Sequence, residues 1–335
     1  MDSREDFRER FEALDMWPEI ICPEDNLPLI HTEHDMKCPR NHCWKTPMGI
    51  PRMNSPSGNY ADAFGLQWKT YRRTQLDSYT KTTLSRDRAR RCLGEHCWQM
   101  LHRSEKTHVL EVGCGAGRFT EVLLSTGAFV TSVDLSSAVE ANQENFPQDE
   151  RHRIIQADAL RLPFPQGQYD TVFCLGVIQH TPRPEETLEK LYAQVKPNGW
   201  LVIDHYTYNL SELTKTAFLF RMLLRRLPPA EGLKWTERLV NVFFPLHQTV
   251  RKHRVMQALL SRFSPVLSYC HALPLSDELQ REWALLDTHD SLTDWYKHSR
   301  TKGQIRRILE SLESIDIWCE YGGNGVEARC RRPTH

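Results

Sequence analysis

The sequence predicts an α/β fold, a mostly parallel sheet with helices on both faces, and three observations carry that expectation. An apolar strand at Val109–Val112 runs into the turn Gly113-x-Gly115-x-Gly117, and a helix begins near Arg118 with Val122, Leu123 and Leu124. Strand-like and helix-like stretches alternate from 107 to 209, the signature of parallel strands joined by right-handed crossovers. Near the end, Gly322-Gly323-Asn324-Gly325 separates two strand-like runs, which is a hairpin signal.

Bulk properties narrow the class. At 335 residues the chain holds one large domain or two smaller ones. Lys plus Arg equals Asp plus Glu at 43 each, which argues against a nucleic-acid partner held by overall charge. The charged start, MDSREDFRERFEALD, has no apolar core of a secretory signal. No run reaches a membrane span; the most apolar, Ala217 to Leu224, is broken by Arg221. Ten cysteines without a small-secreted-domain framework point to reduced thiols and a cytoplasmic setting.

Residues 1–56 read as a charged leader followed by a small β module. Zinc takes four ligands in a tetrahedron, often from two turns. Cys22 and Cys38 with either His42 or Cys43 supply three, and Asp25 stands where a second cysteine of the first turn is usual. Cys22, Asp25, Cys38 and His42 are therefore the candidate zinc ligands, with His31 and His34 as further donors. The competing reading is a module that keeps its shape without metal. Asn54–Asn59 is a turn-rich linker.

Residues 57–104 form an expected helical cap. Tyr60, Phe64 and Trp68 share one helical face, which serves either as packing or as a lid. Thr74, Gln75, Leu76, Asp77 and Arg86 are polar or flanking groups nearby.

The core, 105–209, continues with a strand from Phe129 to Val133 ending at Asp134, 17 residues after Gly117. An acid there is placed to accept hydrogen bonds from ribose hydroxyls, for a dinucleotide or another nucleoside alike. A dinucleotide fingerprint, however, wants glycine where Arg118 stands. Ile154–Ala159, Tyr169–Leu175 and the strand after the turn Pro197-Asn198-Gly199 complete the parallel set. Ligands of open α/β sheets bind at the carboxyl ends of the strands.

An insert of about ninety residues follows at 210–300. Leu213, Ala217, Phe220 and Leu224 form one stripe, with Phe218, Met222 and Leu223 beside it and Arg221, Arg225 and Arg226 around it. A helical lid packed on the core is the favoured reading, because an apolar face is more often buried; a peripheral membrane contact is the other. Asp287, Thr288, His289, Asp290 and Tyr296 read as a polar, aromatic loop over an acceptor site, or as a solvated loop. The core resumes at 301–335 with a helix over Lys302–Leu312 and the hairpin.

The run Glu111-x-Gly-x-Gly-x-Gly resembles motif I of the class I S-adenosylmethionine (SAM) methyltransferases, of the methyltransferase type 11 kind. Asp134, Asp158, YDTVFCLGVIQH and the Pro-Asn-Gly turn follow in that family's order. The resemblance implies a Rossmann-like seven-stranded sheet and SAM as cofactor. It implies Glu111, Gly113, Cys114, Gly115, Gly117, Asp134, Leu135, Asp158, Ala159 and Leu175 as cofactor-binding residues, with Asp158 facing the adenine. Gln179-His180-Thr181-Pro182 resembles a turn that lines the cofactor pocket in such enzymes, and the phrase YADAFGLQW…TQLDS is similar to a segment preceding motif I in bacterial relatives. The N-terminal module, ending in Gly49-Ile50-Pro51-Arg52, resembles the zinc-ribbon-like domains of some rRNA guanine methyltransferases.

Methyl transfer from a sulfonium needs alignment above all. An oxygen or nitrogen acceptor also needs a base, for which His180 and His205 are the candidates; a structural role at a helix start competes for His180. The expected enzyme methylates oxygen or nitrogen of a small-molecule or glycan- or lipid-linked acceptor. An rRNA or tRNA methyltransferase, and a binding subunit that keeps only the fold, are the alternatives.

Overall fold

A computed structural model describes residues 17–32, 35–54, 60–103, 106–209, 215–270 and 272–334. The expected leader before residue 17, His34, linker residues 55–59 and Leu213 lie outside the described residues.

Three short strands, β1 (Ile30–His31), β2 (Asp35–Lys37) and β3 (Cys43–Lys45), form an antiparallel sheet. Next come β4 (Arg52–Met53), then α1 (Asp62–Thr70), α2 (Asp77–Thr80) and α3 (Leu84–Arg103). The alternating core is β5 (His108–Val112), α4 (Thr120–Leu124), β6 (Phe129–Asp134), α5 (Ala138–Asn145), β7 (His152–Ala157), β8 (Tyr169–Cys174), α6 (Pro184–Ala193) and β9 (Val195–Tyr206). The insert is α7 (Ala217–Leu224), α8 (Pro229–Thr249), α9 (Arg254–Phe263) and α10 (Asp277–Thr293), and α11 (Lys302–Ser311), β10 (Ile315–Gly322) and β11 (Gly325–Arg331) close the chain.

The main sheet runs β10-β11-β9-β8-β5-β6-β7-β4, with β11 antiparallel to both neighbours and the rest parallel. Its central strands are mostly apolar, as strands covered on both faces tend to be: Val109, Leu110, Val130, Val172 and Leu201 are fully buried. The expected α/β class and closing hairpin are present. So is the last helix, whose start is set by a capping box in which the Thr301 hydroxyl accepts from the Gln304 amide at 3.2 Å and the Gln304 side chain accepts from the Thr301 amide at 2.8 Å.

Four expectations need correction. The sheet has eight strands, not seven, because the Gly-Ile-Pro-Arg segment adds β4 alongside β7. Arg52 anchors it, donating to Gln156 and Glu140 at 2.9 Å each, while Ile50 packs fully buried with Val139 and Ile154. Second, Pro197-Asn198-Gly199 does not precede the fifth parallel strand but lies within β9, as an irregularity with Asn198 at φ +63°. Third, residues Asp287–Asp290 are not loop; they lie in α10, which starts at a capped Ser276 and buries Thr288 and His289. Fourth, α7 covers only part of its apolar surface: in the stripe Ala217, Phe220 and Leu224 the first two are half-buried and Leu224 is buried, while Phe218, Leu219, Met222 and Leu223 are exposed.

Candidate active site

The glycine turn is built by backbone donors and bounded by side chains. The Gly113 and Cys114 amides donate to the Val133 carbonyl at 2.7 and 3.1 Å, which ties the turn to β6. The Gly115 amide donates to Asp134 Oδ2 at 2.9 Å, and Asp134 Oδ1 accepts from the Ser136 amide and hydroxyl at 2.8 and 2.7 Å. Gly113 and Gly117 have φ of +78° and +101°, and a Cβ would fall 2.0 Å from Val177 at the first and 2.6 Å from Phe146 at the second. Only glycine satisfies both demands.

Glu111 sits beneath the turn. Its carboxylate accepts from Thr120 Oγ1 at 2.6 Å and Ser132 Oγ at 3.0 Å, so it orders the loop and the start of α4. Burial pushes its carboxyl up to about 7. The Cys114 thiol is buried, and burial raises it well above its ordinary value. Asp158 ends the β7 segment with its Oδ1 accepting the Leu160 amide at 2.9 Å, and the Leu135 carbonyl accepts from Gln156 at 2.9 Å. Ala159 and Leu175 are buried beside them. All ten residues expected around a cofactor thus lie at the carboxyl ends of β5 to β8 or in the turns that follow.

The aromatic face of the cap meets this edge. Trp68 lies over Gly115, with its ring 3.2 Å from where a Cβ would stand. The Phe64 ring packs edge-on to His180 at 5.3 Å and Tyr60 edge-on to Tyr296 at 5.5 Å. Burial, with the charges of Asp158 and Asp134, pushes the Tyr60 hydroxyl up.

The two histidines differ. His180 Nδ1 faces the Tyr296 carbonyl at 3.1 Å and Asp294 at 3.3 Å. A carbonyl only accepts, so Nδ1 carries the proton and Nε2, buried without a partner, is left as an acceptor. Burial opposes a charged ring, but the Asp294 hydrogen bond and the charges of Asp290 and Asp294 outweigh it and raise the His180 pKa. His205 is buried against Tyr206, and burial holds it down at about 4. Gln179, fully buried, leaves both side-chain polar atoms unpartnered, an unusual state that marks a place where another molecule belongs.

Comparison with protein families matches residues 110–203 to the methyltransferase domain family. That stretch contains the glycine turn, Asp134, Asp158 and His180 in one frame. The core is a class I SAM-dependent methyltransferase domain.

Relatives of this methyltransferase core include the ubiquinone biosynthesis O-methyltransferase of Pseudomonas entomophila (strain L48), 32% identical over 125 residues, 35% of this chain and 53% of that one. The enzyme of the same name from Coxiella burnetii (strain Dugway 5J108-111) is 27% identical over 143 residues, 39% of this chain and 61% of the other. The chain thus spans little more than half the length of the curated relatives it matches. Among solved structures, an O-methyltransferase family protein from Burkholderia thailandensis has a TM-score of 0.42 at 13% identity, over 77% of this chain and 59% of that one.

The insert brings residues to the methyltransferase core that the sequence did not single out. Asp294 also accepts from Arg221 Nε at 2.6 Å, so α7, the end of α10 and His180 form one buried chain of contacts. Asp290, beside them, is raised to about 6 by burial. On the other side, half-buried Arg118 donates to Gln75 at 2.9 Å and Ser85 at 3.1 Å, while Gln75 and Trp283 donate to Asp287 at 3.1 Å each. Asp204, after the central run of β9, accepts from the Gly176 amide at 2.5 Å and pairs with Arg88. Gln75, Asp287 and Asp290 stood out in the sequence as polar groups near an acceptor site, whereas Asp294, Arg88 and Asp204 did not.

In the N-terminal module, Cys22, Asp25, Cys38 and His42 converge, their candidate ligand atoms all within 4.8 Å of one another. Cys38 Sγ donates to Asp25 at 3.1 Å, His42 Nδ1 lies 3.1 Å from Asp25, and both sulfurs lie 3.4 Å from His42 Nδ1. Burial acts to raise Asp25, but hydrogen bonds from Cys38, Leu27 and Cys22 outweigh it and hold it at about 2. Cys43 is exposed on β3 and outside the cluster, as is His31, so of the two neighbours His42 and Cys43 only His42 faces the other three.

Proposed function

We propose that the chain is a SAM-dependent methyltransferase acting on an oxygen of a small-molecule or lipid-linked acceptor. The observation that carries the reading is the meeting of the glycine turn, Asp134 and Asp158 at the carboxyl ends of β5, β6 and β7, inside the stretch that matches the methyltransferase family. The residues fit the cofactor: the glycine turn Gly113–Gly117 for the amino-acid end, Asp134 for the ribose hydroxyls and Asp158 for the adenine amino group. SAM, when bound, supplies an electrophilic methyl for in-line displacement.

The remaining work falls to the chain itself. Tyr60, Phe64 and Trp68 close over the edge and exclude water. Phe64 and Tyr206 pack edge-on against His180 and suit a flat, apolar acceptor. His180 Nε2 takes the acceptor hydroxyl proton, and Asp294 stabilises the imidazolium that results. Oxygen is favoured as the methylated atom by this base and by the O-methyltransferase names of the relatives. The test is transfer of an isotope-labelled methyl from SAM to hydroxylated aromatic acceptors, read by mass spectrometry. Wild-type protein yields an O-methyl product and His180→Gln loses it; SAM binding without transfer to any acceptor would favour a binding subunit and overturn the enzyme.

We further propose that the N-terminal cluster holds structural zinc. A tetrahedral zinc with bonds of roughly 2.0–2.3 Å spaces its ligands by roughly 3.3–3.8 Å, close to the separations found among Cys22, Asp25, Cys38 and His42.

A further inference from the structure

The insert exposes two apolar stripes. On α7, Phe218, Leu219, Met222 and Leu223 fall at i, i+1, i+4 and i+5, and all are exposed, Leu223 by 67%. On α9, Val255, Met256, Leu259 and Phe263 fall at i, i+1, i+4 and i+8, and all are exposed, Val255 by 73% and Phe263 by 68%. The start of α7 is tied to the end of α9: the Thr216 amide donates to the Arg262 carbonyl at 3.0 Å and its hydroxyl to the Phe263 carbonyl at 2.8 Å. Eight large apolar side chains left in water on two joined helices call for a partner.

Charge says which partner. The whole chain is neutral, yet residues 214–230 hold four Lys and Arg with no acid, and residues 238–276 hold five with no acid. Arg226, Lys252 and Arg254 are exposed at the ends of the two stripes. Apolar side chains flanked by an excess of cations are what an anionic bilayer surface selects: the apolar groups enter the headgroup boundary and the cations meet the phosphates. A second copy of the chain would instead set cation against cation.

We propose that α7 and α9 form a docking face for an anionic phospholipid membrane. The face stands next to the candidate active site, because Arg221 projects from the other side of α7 to Asp294, which contacts His180. A face so placed would bring a membrane-held acceptor to the site, and that consequence rests on the methyltransferase reading; the docking itself does not.

Co-sedimentation of the full chain with vesicles, without SAM, tests it. The protein pellets with phosphatidylglycerol in phosphatidylcholine but not with phosphatidylcholine alone, and less so as salt rises. Each cation near the surface contributes about 1 kcal/mol, so Arg226→Glu with Arg254→Glu weakens binding more than about tenfold. Leu223→Ser with Phe263→Ser loses binding while circular dichroism is unchanged. Wild type remaining in the supernatant, or variants that pellet as well as wild type, overturns the proposal. So does a wild-type dimer that Leu223→Ser with Phe263→Ser turns into monomer without any vesicle binding, which would make the face an interface between copies. Cofactor binding measured on the same samples separates this failure from failure of the methyltransferase reading.

Discussion

The indole of Trp68 lies across Gly115, 3.2 Å from the position a Cβ would take. Gly115 also sits at φ +51°, so any side chain there is strained twice. Gly115→Ala costs about 1–2 kcal/mol for the left-handed backbone alone and displaces the Trp68 lid. The thermal midpoint falls by a few degrees and SAM affinity falls with it. Trp68→Ala, a half-buried side chain, lowers affinity with a smaller change in stability; equal affinity in Trp68→Ala would show that the lid does not touch the cofactor.

His180 works only when neutral. Its pKa is raised by Asp294 and Asp290, so the rate climbs with pH and levels above the ordinary imidazole value of roughly 6.5. Asp294→Asn moves that limb to lower pH. His180→Gln removes it and lowers kcat by roughly 10²–10⁴. A pH profile that keeps its limb in His180→Gln would assign the base elsewhere.

Glu111 makes stability depend on pH. Its folded carboxyl lies at about 7, raised from 4.5 by burial, so the folded chain holds more protons than the unfolded one between those values. The favourable protonated state is full below 4.5 and lost as pH rises through 7. Glu111→Gln, which still accepts from Thr120 and Ser132, therefore gains stability over wild type at pH 8, by up to about 3 kcal/mol, and little at pH 5. Urea midpoints at the two pH values check this.

The core was legible and the insert was not, for physical reasons. Strands β5, β6 and β7 are largely apolar runs that end at or beside Glu111, Asp134 and Asp158, so local pattern marked the carboxyl edge, and the family resemblance assigned a cofactor to it. The cap's face Tyr60, Phe64, Trp68 was visible as spacing, although what it covers required the fold. Asp287, His289 and Asp290 read as a loop because polar residues usually face water. Here they lie in α10, His289 buried and the two acids half-buried, with partners far away in sequence: Gln75 for Asp287 and Gln67, at 2.7 Å, for His289. The two residues of β4 are too few to show a period. The exposed stripe of α7 was misjudged since apolarity reports which face seeks cover without reporting whether the chain provides it.

Arg221 links the docking helix to Asp294, whose side chain is fully buried. Arg221→Ala leaves that carboxylate half-paired and destabilises the fold by about 3 kcal/mol, with a slower rate in proportion to the disturbance of His180. A chemical denaturation series and steady-state rates measure both.

Zinc analysis of the purified chain should find one ion, lost in Cys38→Ser and stripped by a strong chelator with a fall in melting temperature. Asp25→Cys, which restores a sulfur ligand, should tighten it. Protein without metal and unmoved by chelator would establish the metal-free module.

The central claim is that the turn at 113–117 with Asp134 seats SAM. Isothermal titration of SAM into the full chain measures it most directly. Saturable binding near one site per chain is expected, abolished by Asp134→Ala while the fold stays intact by circular dichroism. Absence of binding by the wild type, or undiminished binding by Asp134→Ala, would contradict it.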